Sequence, residues 1–138
     1  MKLGEIKVLI LDDDIYKAMA VQRALRDEGV RKIEVVSDQQ SGMDYVYDCM
    51  IKEDPVNLIV ADMQYPLKQG GRIEIEAGFE LIERLENEKI EIPVIICSSC
   101  NYKDPRALGT IWFNPSRDLK TDMKELLEKL YVNYRTKS

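Results

Sequence analysis

At 138 residues the chain has the length of one ordinary domain, enough to bury a core, and a single domain over 1–138 is expected. Charged residues make up 33% and apolar ones 45%, with no repeat, no low-complexity stretch, no signal peptide and no apolar run long enough for a bilayer, so the chain reads as soluble and cytoplasmic. The net charge of −5 with scattered lysines and arginines gives no electrostatic footprint for nucleic acid, and the absence of histidine excludes histidine bases, Ser/Cys-His nucleophile pairs and histidine metal ligands.

Strand-length apolar runs alternate with amphipathic stretches through five rounds, the pattern of βα units and a parallel sheet. The first strand, Lys7 to Leu11, leads through Asp14, a candidate N-cap, into a helix with Ile15, Ala18, Val21 and Leu25 on one face and Gly29 as its stop. Ile33 to Val36 is a shorter second strand, and Ser37 or Asp38 can cap a helix carrying Met43, Val46, Tyr47 and Met50 before Pro55. The third strand is Asn57 to Ala61. After a long connection, Gly78 to Asn87 predicts a helix with Phe79, Ile82 and Leu85 inward, and Pro93 to Cys97 a strand buried on both faces. Thr110 to Phe113 is a β-prone fifth strand stopped by Asn114-Pro115. Leu119, Met123, Leu126, Leu127 and Leu130 then mark a last amphipathic helix, and the polar tail 135–138 is either a free terminus or the start of a linker.

Acids close two of these strands: Asp12, Asp13 and Asp14 follow the first, and Asp62 follows the third. Neighbouring parallel strands open their carboxyl ends onto one crevice, the usual ligand site of open α/β sheets. Carboxylates crowded there repel unless a cation compensates, and an all-oxygen donor set favours magnesium or calcium. For Asp14 the helix cap is the preferred reading, whereas a cap explains only one of the two acids Asp12 and Asp13. A competing signal is Cys97-Ser-Ser-Cys100, which has dithiol redox spacing. One such pair without further Cys or His builds no four-ligand zinc site, and the apolar run Val94 to Cys97 makes Cys97 a buried strand residue.

In this order the motifs resemble a response-regulator receiver domain, the CheY-like phosphoacceptor module of two-component signalling. Val8 to Asp14 resembles the family's acidic-pair motif, Leu58 to Pro66 its phosphoacceptor motif with a proline four residues past the aspartate, Gly78 to Leu81 the start of its third helix, and Ile92 to Ser98 its fourth strand. The resemblance implies a flavodoxin-like three-layer α/β sandwich on a five-stranded parallel sheet of order 2-1-3-4-5. It implies that Asp62 accepts a phosphoryl group, that Mg2+ is held by Asp12, Asp13, Asp62 and the Gln64 backbone carbonyl, and that Ser98 is the switch hydroxyl. The donor it implies is a phosphohistidine on a histidine kinase or phosphotransfer protein. An effector domain or a second copy would receive the output, and the chain is not an enzyme in the usual sense.

The chain departs from the family pattern in two places. Asn114 stands where the family has a lysine before the proline, which removes a charge-assisted contact of about 1.5 to 3 kcal/mol to a phosphoryl oxygen. Lys103, Arg106 and Arg117 lie nearby in sequence, with an ordinary exposed charge the preferred reading of each. Ile111 takes the switch-aromatic position beside Trp112 and Phe113, and Asn101 to Leu108 leaves room for only a short helix or an irregular segment. The second departure is the insertion from Leu67 to Ala77. Gly70-Gly71 can turn it, and Arg72 to Glu76 forms either a small hairpin arm over the acids or a mobile surface loop, with Glu74 and Glu76 either joining the metal site or facing solvent. The alternative to a phosphoacceptor is a pseudo-receiver, an interaction domain whose output needs no phosphorylation, which Asn114 favours. Further alternatives are a Mg2+-dependent phosphatase, which would want an acid/base group where Gln64 stands, and a CxxC redox protein.

Overall fold

A computed structural model describes residues 2–137, with side chains described through Arg135. Its strands are β1 (Lys7–Leu11), β2 (Lys32–Val36), β3 (Leu58–Ala61), β4 (Tyr65–Pro66), β5 (Ile73–Glu74), β6 (Val94–Ser98) and β7 (Gly109–Trp112), and its α-helices are α1 (Ile15–Asp27), α2 (Gln39–Ile51), α3 (Ala77–Asn87) and α4 (Leu119–Lys137). The main sheet is parallel with order β2-β1-β3-β6-β7. That is the expected 2-1-3-4-5 order of a flavodoxin-like receiver, once the short β4–β5 pair is set apart.

Because strand side chains alternate between faces, each central strand feeds two cores. Val8 and Ile10 of β1, with Leu58 and Val60 of β3, pack under Val21 and Leu25 of α1 and Met123, Leu127 and Leu130 of α4. Leu9 and Leu11, with Ile59 and Ala61, face Met43 and Val46 of α2 and Leu81, Ile82 and Leu85 of α3 on the other side. Both faces are covered, so β1, β3 and β6 are almost uniformly apolar.

Helix starts and stops follow their local chemistry. Asp14 caps α1 by accepting from the backbone N–H groups of Tyr16 and Lys17, and Asp38, not Ser37, caps α2 by accepting from Ser41 N–H. Gly29, at φ +103°, makes the left-handed turn out of α1.

Several expected details differ. Ile15, expected inward on α1, is 71% exposed, and the inward place in that first turn belongs to Lys17. Met50 of α2 turns outward while Cys49 is buried, and Leu81 joins the α3 core while Phe79 is half-buried against Tyr102. The segment from Asn101 to Leu108 forms no helix. The polar tail continues α4 through Lys137, and Ser138 lies outside the described residues.

The insertion makes a small antiparallel hairpin, but its partner strand lies before Leu67: Tyr65 pairs with Glu74 and Pro66 with Ile73. Tyr65 anchors it, fully buried with its hydroxyl donating to Ala77 O at 3.0 Å, the residue that opens α3.

Candidate functional site

Sheet register brings the acids together. Leu11 lies beside Ala61 in the β1–β3 ladder, so the residues that follow, Asp12 and Asp62, emerge side by side, with Asp62 N–H donating to Leu11 O at 2.9 Å. Asp12, Asp13 and Asp62 each offer a carboxylate oxygen, all within 4.8 Å of one another. Glu74 and Glu76 are not members of this cluster. Glu74 faces Arg72 instead, at 3.9 Å.

The three acids differ in exposure. Asp12 is buried, its Oδ1 accepting from Asp14 N–H at 2.9 Å, while Asp13 is exposed and Asp62 lies half-covered with Oδ1 accepting from its neighbour Met63 N–H at 2.7 Å. Burial pushes the Asp12 carboxyl up to about 6, against the lowering influence of Lys17 and the Asp14 N–H. Burial also raises Asp13, with the Asp62 charge adding to it and its own backbone N–H opposing.

Lys17 stands among these acids, and it was not picked out as a site residue from the sequence. Its ammonium is 2.7 Å from Asp62 Oδ1 and 3.2 Å from Asp12 Oδ2, with a side chain only 5% exposed. Burial disfavours its charge, but the hydrogen bond to Asp62 and the fields of Asp12 and Asp62 more than offset this, and its pKa is raised. The sequence held a signal for it: Lys17, Val21, Ala24 and Leu25 fall on one helical stripe, and all are buried. A lysine in that stripe needs an internal partner.

The other predicted site residues fall around this cluster. Ser98 ends β6, buried, its Oγ accepting from Cys100 N–H at 3.3 Å. Asn114 follows β7, and its Oδ1 accepts from Ser116 N–H at 2.9 Å and from Ser116 Oγ at 2.6 Å. Gln64 is exposed on the turn between Asp62 and β4. Arg106 binds Asp104 at 2.7 Å and Arg117 binds Asp122 at 2.8 Å, so both have partners of their own, and Lys103 is exposed. Ile111 is buried, and the Trp112 indole N–H donates to Ser99 O at 3.0 Å in the loop after Ser98. Cys97 is buried and its thiol is pushed up to about 12 by that burial, which removes thiolate chemistry near neutral pH.

All-oxygen donors at this spacing suit a hard divalent cation, so the acids present fit the magnesium site the fold family implies. An α/β sheet with acids converging at its carboxyl edge defines a ligand-binding doubly wound fold. Comparison with known proteins narrows this. The response regulator receiver domain family matches residues 8–108. The osmosensing histidine protein kinase SLN1 of Saccharomyces cerevisiae is 31% identical over 65 residues, 47% of this chain, which spans only 5% of that kinase. Among solved structures, the CheY-like receiver domain protein from Methanospirillum hungatei superposes with a TM-score of 0.67 at 18% identity, covering 95% of this chain and 98% of that one. CheY4 of Vibrio cholerae gives 0.62 at 20%, covering 90% and 98%. The receiver domain of the histidine kinase CKI1 from Arabidopsis thaliana gives 0.60 at 16%, covering 89% and 92%. The chain belongs to the response regulator receiver domain family of two-component signalling.

Proposed function

We propose that the chain accepts a phosphoryl group on Asp62 and changes a protein-binding surface in response. The observation that carries this reading is the convergence of Asp12, Asp13 and Asp62 within 4.8 Å at the carboxyl edge of the sheet. Asp62 Oδ1 is engaged by Lys17 and by the Met63 N–H, which supports Oδ2 as the attacking oxygen. As the new P–O bond forms, the P–N bond to a donor phosphohistidine breaks and the imidazole keeps the electron pair. The donor belongs to a histidine kinase or phosphotransfer protein, which supplies the imidazole this chain lacks. Asp12, Asp13, Asp62 and the Gln64 carbonyl would hold Mg2+, whose charge offsets that gathering on the phosphoryl oxygens. Ser98, at the end of the strand beside β3, is the hydroxyl we assign to bond a phosphoryl oxygen and so to draw the loop after it toward the site; its Oγ accepts from Cys100 N–H in that loop.

Asn114 favours a second reading, a pseudo-receiver with constitutive output, because its amide is engaged with Ser116 and offers no cation. Intact mass after incubation with acetyl phosphate and magnesium separates the two. A single magnesium-dependent phosphoryl adduct, absent in Asp62→Asn, is expected. No adduct on folded wild-type protein would replace the phosphoacceptor reading with the second.

A further inference from the structure

Lysine is among the residues least often buried, and when buried it needs compensating charge. Lys17 sits in the first turn of α1 with its own N–H on the Asp14 cap at 3.2 Å, so the start of the helix fixes where its side chain departs. The ammonium then lies between Asp62 Oδ1, at 2.7 Å, and Asp12 Oδ2, at 3.2 Å. These oxygens belong to two of the three carboxylates that fit a divalent ion. An ammonium is a compact point charge with three donors, able to satisfy two carboxylates at once. Its single charge offsets part of theirs and engages carboxylate groups that would otherwise be open to a divalent ion.

We infer that Lys17 is a tethered counter-cation of the acceptor site, compensating Asp12 and Asp62 in place of a divalent ion and giving up both contacts when one enters. The inference rests on the assignment of these acids as the metal site. It places the positive charge of the site on α1, where family members carry it after the last strand, at the position held here by Asn114. Entry of a divalent ion then displaces a side chain of α1, so metal occupancy is felt by the helix that carries the exposed Ile15, Tyr16 and Met19.

Calorimetric titration of magnesium into wild-type protein and Lys17→Met tests this, since methionine keeps the apolar stem and removes the charge. The variant is expected to bind magnesium at least tenfold more tightly. In EDTA its Tm should fall below that of the wild type, and millimolar magnesium should restore it, whereas the wild-type Tm should move little. Equal or weaker magnesium affinity in the variant, including no binding by either protein, overturns the inference. Should Lys17→Met fail to fold even with magnesium, Lys17→Gln carries the same comparison with a polar head retained. The outcome is separable from the phosphoacceptor reading: an Asp62 adduct with unchanged magnesium affinity in the variant overturns the inference alone, and tighter binding without any adduct supports it while overturning the acceptor role.

Discussion

Asp12 shows how a single residue trades stability for chemistry. Its carboxyl keeps its proton to about pH 6 in the folded chain, against an ordinary 3.8, so between those values the native state binds more protons than the unfolded one. Stability contributed by this group therefore falls as pH rises through that window, and the charged form carries its full cost above it. A shift of that size corresponds to at most about 3 kcal/mol. Asp12→Asn, measured by urea denaturation in EDTA, is expected to be more stable than wild type at pH 7.5, with the gain shrinking toward pH 4.5; a gain that did not depend on pH would assign the effect to something other than this charge. The cysteines give an independent check at the same scale. Cys97 is buried with its thiol raised to about 12, Cys49 is buried, and Cys100 is exposed, so native alkylation at pH 8 should label Cys100 alone. Rapid labelling of both Cys97 and Cys100 would revive the dithiol alternative. The acids were legible in the sequence because strand ends are readable from apolar runs, whereas Lys17 was overlooked despite its place in the apolar stripe of α1, since a lysine near a helix start is ordinarily a solvated charge.

At the level of elements, the close approach of α3 to Asp62 depends on a missing side chain. A Cβ on Gly78 would lie 2.8 Å from Asp62 O, 3.1 Å from Ile96 Cδ1 and 3.2 Å from Met63 Cα, and Gly78 N–H donates to Met63 O at 3.0 Å. Two of those neighbours are backbone atoms of Asp62 and Met63, which cannot step aside as a side-chain tip can. Gly78→Ala is therefore expected to cost about 1 to 3 kcal/mol by overpacking, read from the urea midpoint, and to shift the acceptor turn. No loss of stability would mean that α3 can retreat without consequence. Sequence reading located α3 within one residue because its apolar spacing is strong, and it offered a hairpin arm at Arg72 to Glu76 as one of two readings but did not foresee that its other strand is Tyr65–Pro66. That pairing depends on Tyr65, whose buried ring and hydroxyl contact with Ala77 O are tertiary facts that alternation in Arg72 to Glu76 does not reveal. The inward placement of Ile15 failed for a related reason: the start of α1 is turned toward the acids, and their charge brings Lys17 inward in its place.

Across the whole molecule, the sheet separates two apolar cores and leaves the clustered acids at one edge, so a change at Asp62 reaches a surface through the loops that leave that edge or through α1, which contacts it by Lys17. One such route is visible. Ser98 ends β6, the loop that follows is held by Trp112 through its indole N–H on Ser99 O at 3.0 Å, and Trp112 is the single tryptophan, 37% exposed. The lysine that family members carry after the last strand is absent here, and Asn114 in its place accepts from Ser116 through Oδ1. An acyl phosphate on Asp62 would carry roughly −1.5 to −2 charge in place of the carboxylate's −1, with three phosphoryl oxygens as new acceptors. If the Ser98 hydroxyl turns to one of them, it releases Cys100 N–H, the loop shifts, and the Trp112 indole loses or retunes its contact. The expected result is a change in Trp112 emission on acetyl phosphate treatment that tracks the mass adduct and is strongly reduced in Ser98→Ala although the adduct still forms. An adduct without any emission change in wild type would show that this loop does not carry the signal. The readout would then have to lie on the other side of Asp62, through α1 and Lys17, whose ammonium loses the carboxylate charge it faces when Asp62 is esterified.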